Sequence, residues 1–176
     1  RRTLLVLLVL TPLGLFSSPF QAVFINEADV AQFGGSFPLP RRHLASAILA
    51  AQRAGAKAVV LKLFFDQPAK NAEDDLALAK AIMNAGLPVI LQANLDPSAD
   101  SSPPLSGRFI RKDIPQFDGI ISGDRGWLPL VAFAEGASAI GFIDALNPVP
   151  LVESYQGHAV PSLFLVTLEL ILGKAS

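Results

Sequence analysis

The chain has 176 residues, of which 51% are apolar and 16% charged; this is material for one domain with a proper core, and it excludes intrinsic disorder. Its net charge of −1, with no basic block and a single Trp and a single Tyr, offers no footprint for a nucleic-acid partner. It has no cysteine, so thiol catalysis, disulfides and cysteine-ligated zinc are ruled out, while the redox compartment stays unreadable.

Arg1 and Arg2 precede TLLVLLVLTPLGLF, and no charge follows until Glu27. This pattern predicts a membrane helix or uncleaved signal anchor with the arginines on the cytoplasmic side. A cleaved signal peptide and a buried helix are the competing readings. Fourteen helical residues would reach only about 21 Å, against a hydrocarbon core of roughly 30 Å, and Pro12 weakens a straight helix. Extension to Phe20 gives eighteen residues, just enough to span. The expected organisation is therefore a membrane anchor or signal segment over residues 1–20 and a single α/β domain over residues 21–176.

Ala22 to Asn26 reads as a strand, followed by a short helix from Glu27 closed by Gly34-Gly35. Ser36-Phe37-Pro38-Leu39-Pro40 is a stiff connector into a helix over residues 41–53, with Leu44, Ala47, Ile48 and Ala51 on one stripe. Gly55 caps that helix. Val59-Val60-Leu61 and Leu63-Phe64-Phe65 form the apolar run of a strand covered on both faces, ended by Asp66-Gln67-Pro68. Leu76, Ala79, Ile82 and Met83 recur at helical spacing behind Glu73, Asp74 and Asp75, Gly86 stops that helix, and Pro88-Val89-Ile90-Leu91 opens another strand. Two right-handed strand–helix–strand crossovers result. They predict an α/β fold with a mainly parallel central sheet and helices on both faces. Residues 95–111 read as a long loop rich in Pro, Ser and Asp. Short strands follow over residues 118–123 and 138–143 around a helix over residues 128–135. A hairpin turning at Gln156-Gly157 and a last helix over residues 163–172 complete the chain.

In an open α/β sheet, ligands sit beyond the carboxyl ends of the strands. Those ends offer Asn26 and Glu27, Lys62 to Asp66, Gln92 and Asn94, and Asp144. Lys62 falls within an apolar run, where it either meets a carboxylate such as Glu27 or extends its head into water from a strand edge. Glu73, Asp74 and Asp75 are explained by the start of a helix, although three carboxylates could also serve acid/base or metal chemistry. Asp124-Arg125 in SGDRGW lacks the lysine and hydroxyl of a phosphate-binding loop and reads as a surface turn. His43 and His158 have no partners at triad spacing. Ser162, after Pro161, reads as a helix N-cap.

In their order, these pieces resemble the second CHASE family (CHASE2), the extracytoplasmic sensory domains of bacterial cyclases and histidine kinases. AVFINEADVAQFGGSFPLPRRHLASAI is similar to the family's opening strand, short helix, aromatic-Pro-x-Pro-Arg connector and next helix. AGAKAVVLKLFFDQP followed by EDDLALAKAI resembles its most diagnostic stretch, a strand running into a Phe-x-acid-x-Pro turn and an Asp-led, alanine-rich helix. GLPVILQ, LPLVAFAEGASAIGFIDA and VPSLFLVTLELILG are similar to later elements, so that the likeness runs from about Ala22 to Gly173. Where the family commonly carries acids at the end of the first strand and before the Phe-x-x-Pro turn, this chain has Asn26 and Lys62. Its later Asp-Gly turn is shortened here to ALNPVPL.

The resemblance implies a ligand-sensing domain outside the cytoplasm, held at the cell membrane by an N-terminal helix. It implies no catalysis and no cofactor in the domain itself, a small-molecule or peptide ligand, a homodimer, and a cyclase or kinase output module elsewhere in the receptor. The candidate ligand-binding residues are Asn26, Glu27, Arg41, Lys62, Asp66, Gln92 and Asn94; no metal ligand is expected. The rival readings are an exported metal-dependent hydrolase using Asp66, Asp74 and Asp75, and a non-binding spacer that holds receptor chains together.

Overall fold

In the computed structural model, which describes residues 5–10, 20–33, 39–100, 103–115, 120–143 and 150–173, the described part of the uncharged N-terminal run, residues 5–10, forms a strand. β1 (Leu5–Leu10) lies between β2 (Phe20–Ile25) and a later strand, Ala58–Lys62, and runs antiparallel to both; Leu7 is opposite Val23 on one side and Leu61 on the other. This corrects the expectation of a hydrophobic helix over these residues. An unbroken Leu/Val run carries no period that separates helix from strand, and here two flanking strands supply backbone partners on both edges. Residues 1–4 and 11–19 of the expected anchor lie outside the described residues. Among the described residues, no helix is long and apolar enough to cross a membrane.

Beyond β2 the main elements follow the predicted order, except that the strand expected to run to Phe65 stops at Lys62 and that Gly126–Trp127, expected in a surface turn, is a strand. α1 (Glu27–Gln32) opens on a capping box: the Asn26 side-chain oxygen accepts from the Ala28 and Asp29 amides, and the Asp29 carboxylate accepts from the Asn26 amide. α2 (Arg41–Arg53) leads into β3 (Ala58–Lys62), α3 (Ala72–Met83) and β4 (Val89–Leu95). A single 3-10 turn, Gly107–Phe109, interrupts the predicted long loop. β5 (Ser122–Gly123) and β6 (Gly126–Trp127) flank the Asp124-Arg125 turn and join different sheets, so the SGDRGW segment links the two. α4 (Val131–Ala134), β7 (Ala139–Phe142), the hairpin β8 (Val152–Tyr155) and β9 (His158–Pro161), and α5 (Leu163–Ile171) follow. Ser162 caps α5 as its sequence position suggests, its Oγ accepting from the Leu165 amide at 3.1 Å.

The main sheet has the order β2-β1-β3-β4-β6, with β7 also paired to β4; β5, β8 and β9 form a smaller sheet. Both predicted crossovers are present, but β1 intervenes between β2 and β3. The main sheet is therefore mixed rather than mainly parallel: β3–β4 and β4–β7 are parallel, while β1–β2, β1–β3 and β4–β6 are antiparallel. Because β1 reverses direction twice over, β2, β3, β4 and β7 still all point the same way. Helices cover both faces. Leu44 and Ile48 of α2 and Leu78 and Ile82 of α3 belong to the core with Val59, Leu61, Val89 and Leu91, while Val166 of α5 joins Val60 and Ile90 on the opposite face. Tyr155 fastens the smaller sheet: its ring lies 5.8 Å from that of Phe142, and its hydroxyl donates to the Pro103 carbonyl at 2.7 Å. Burial pushes its phenol pKa up.

Candidate functional site

The shared direction of four strands brings most of the candidate residues to one end of the sheet. Lys62 and Gln92 are one step beyond the paired positions Leu61 and Leu91, so they stand side by side. Both lie two residues after Val60 and Ile90, hence on the face that α5 covers. Lys62 is exposed, so its ammonium extends into water rather than sitting in the core. Gln92 is the opposite case: 3% exposed, with an Oε1 that has no hydrogen-bond partner among the described residues. A buried carbonyl without a donor costs about 1–3 kcal/mol and calls for an explanation. Asn94, half-buried, is opposite Trp127 of β6, whose ring meets Phe64 edge-on at 5.2 Å. A cation, two amides and two aromatic rings thus gather at this end. Asn26 and Glu27 follow β2 at the same end; Asn26 is occupied in capping α1, and the Glu27 side chain and Asp144 lie outside what the structure describes.

Arg41 and the acidic residues belong to a different centre. The Arg41 side chain, 11% exposed, pairs with Asp75 and donates to the Gln67 carbonyl. Its guanidinium sits 5.5 Å from the Phe65 ring centroid and 5.1 Å from that of Phe133. The second oxygen of Asp75 accepts from the Ala69 amide at 3.0 Å, and buried Asp74 accepts from Arg42 Nε at 2.6 Å. Among the described residues, Asp66 accepts only from Gln67 Nε2, at 3.2 Å. The connector arginine and the Phe-x-acid-x-Pro turn, more than twenty residues apart in sequence, therefore meet around one guanidinium. Among the described residues, no group of three His, Cys, Asp or Glu is placed to hold a metal.

Sequence reasoning passed over a third feature, at the opposite end of the sheet. A cavity of about 280 Å³ lies between the second half of α5, the 3-10 turn and the amino ends of β4 and β7. Two arginines from the predicted loop reach it. Arg108 stacks on Phe109 at 4.3 Å and donates to the Ala134 and Glu135 carbonyls. Arg111 donates to both oxygens of Asp113, at 3.0 and 2.9 Å, and to Glu169 of α5 at 2.6 Å. The alternation Arg-Phe-Ile-Arg, with Phe109 buried, is the one local sign that this part of the loop is ordered.

The Arg111 hydrogen bonds hold the Asp113 carboxyl at about 2, while Asp113 first and Glu169 second raise the guanidinium. A depressed carboxyl pKa stabilises the fold above the unfolded value of about 3.9, and that contribution is lost as pH falls toward 2. Wild type should therefore unfold at higher urea than Asp113→Asn near neutral pH, and the gap should close between about pH 4 and pH 2. A gap that stayed constant over that range would contradict the pairing.

Comparison with curated proteins found no match, and comparison with solved structures found none either. Comparison with family models matched the CHASE2 domain over residues 6–166, which takes in β1 and the sheet on both sides of it as well as the start of α5. On that coverage the chain belongs to the CHASE2 domain family, a family of sensory domains of signalling receptors.

Proposed function

We propose that this chain is the extracytoplasmic ligand-sensing domain of a membrane-bound bacterial signalling receptor whose output module, a cyclase or a histidine kinase, lies outside these residues. The observation that carries the reading is the CHASE2 match across nearly the whole chain. The domain itself does no chemistry and needs no cofactor. It works as one half of a homodimer, since output enzymes of this kind act in pairs. Its ligand, a small molecule or peptide, contacts the strand-end rim at Lys62, Gln92 and Asn94, and binding shifts the receptor between two arrangements. The orphaned Gln92 carbonyl favours the rim, because a ligand donor arriving there supplies what the fold withholds. The hydrolase reading of Asp66, Asp74 and Asp75 is disfavoured by the arginines facing Asp74 and Asp75.

Gln92→Leu provides the test. Removing the unanswered buried carbonyl in favour of an apolar group of similar volume should leave the domain as stable as wild type or about 1 kcal/mol more stable, while the receptor's response to its stimulus is lost. Lys62→Ala should blunt the same response without changing the urea midpoint. If both variants fold and signal like wild type, the rim is not the sensing site.

A further inference from the structure

The cavity beneath α5 combines an apolar body with a cation that no carboxylate among the described residues neutralises. Phe109, Val166 and Leu170 contribute apolar wall. Of the two arginines, Arg111 already faces two carboxylates. Arg108 has no carboxylate partner among the described residues; its hydrogen bonds go to two main-chain carbonyls, which orient the guanidinium without cancelling its charge. A volume of about 280 Å³ is at the small end of ligand sites, which start near 300 Å³. That suits a single ring or a short chain. We infer that this cavity binds a small monocarboxylate with an apolar body, its carboxylate on Arg108 and Arg111, where it competes with Glu169.

The competition matters because of how α5 is held. At its first residue the helix backbone rests directly on Gly141 of β7, and Ser162 caps it there. Further along, Val166, Glu169 and Leu170 overlie the cavity, and the Arg111–Glu169 contact ties this half of the helix to the chain that runs alongside β9, where the Arg111 amide donates to the Ala159 carbonyl at 2.8 Å. An anion that takes Arg111 from Glu169 loosens the far half of α5 while the near half stays pinned. By reciprocity, whatever weakens the Arg111–Glu169 contact must tighten anion binding.

The inference goes beyond the sensing reading and uses none of the rim residues, so the two can fail separately. The test titrates the 176-residue chain with benzoate and with valerate, using benzamide as the neutral control, by calorimetry. Saturable binding of at least one of the carboxylates is expected, with benzamide weaker by roughly tenfold or more. Arg108→Gln, an exposed change, should weaken binding by a similar roughly tenfold factor. Glu169→Gln should strengthen it, and Lys62→Ala should leave it unchanged. The inference is overturned if neither carboxylate binds saturably, if benzamide binds as tightly, or if Arg108→Gln binds like wild type. Anion binding that responds to Arg108 and Glu169 stands whether or not Gln92→Leu silences the receptor.

Discussion

Replacing Arg41 with alanine is expected to destabilise the domain by about 3 kcal/mol, near the lower end of what breaking one side of a buried ion pair costs. The guanidinium is held from several directions: Asp75 and the Gln67 carbonyl take its N–H groups, and it lies over the neighbouring rings of Phe65 and Phe133. Removing it leaves Asp75, which is 20% exposed, with the Ala69 amide as its one remaining partner among the described residues, and uncovers two aromatic rings. The partial exposure of Asp75 keeps the penalty below that of a fully buried charge. Arg41→Lys should recover less than half of the loss, because a compact ammonium has no planar fork to bridge a carboxylate and a carbonyl while covering two aromatic rings. Urea unfolding of wild type, the two variants and Arg41→Ala/Asp75→Ala measures this. The double variant should lose less than the sum of the single changes. An Arg41→Ala midpoint indistinguishable from wild type would show that the guanidinium does not hold this junction together.

Gly141→Ala is expected to cost a similar amount, about 3 kcal/mol, by a different mechanism, overpacking against an immovable neighbour. A Cβ at this position would lie 2.3 Å from Leu163 Cα and 2.7 Å from Leu163 N. Carbon–carbon contacts want about 3.5–4.0 Å, so β7 and α5 must separate by more than 1 Å. The obstacle is backbone, so no rotamer change relieves it. Since Gly141 pairs with Gln92 and Phe142 bridges Ser162, the displacement falls where the rim meets the start of α5. Hydrogen exchange should show protection falling in α5 well before it falls in β3 and β4, the pattern of a locally detached element. Uniform loss of protection, or none, would contradict the close approach.

These two residues illustrate what a reader of the sequence can and cannot foresee. Arg41 opens a helix whose limits, residues 41–53, follow from its apolar stripe and from Gly55, where the backbone adopts φ +79°. Its partner Asp75 sits at the head of another helix, where an acid is accounted for by the helix itself. Nothing local distinguishes a carboxylate that caps from one that pairs with an arginine thirty-four positions earlier. Gly141 looks like any glycine in a strand until α5 is laid across it.

The rim shows the same division. Lys62, Gln92 and Asn94 were recognisable as strand ends because strands announce themselves by apolar runs and the turns that stop them. That Lys62 is exposed while its neighbour Gln92 is buried with an unanswered carbonyl depends on what α5 and β7 cover, and no run of residues records that.

By itself, then, the sequence determined the succession of helices and main strands from Ala22 onward, without β6 and the 3-10 turn, together with the two crossovers, the caps at Gly55 and Ser162, and the likeness to CHASE2 domains. Each of these is written in spacings of a few residues, since helix and strand periods, turns and caps are local. The tertiary structure alone decided that Leu5–Leu10 is a strand between β2 and β3, that the sheet is mixed, that Arg41 closes on Asp75, and that Arg108 and Arg111 frame a cavity under α5. An uncharged Leu/Val run can hydrogen-bond within itself as a helix or with neighbours as a strand. The choice falls to partners that lie far along the chain, and only the folded arrangement brings them alongside.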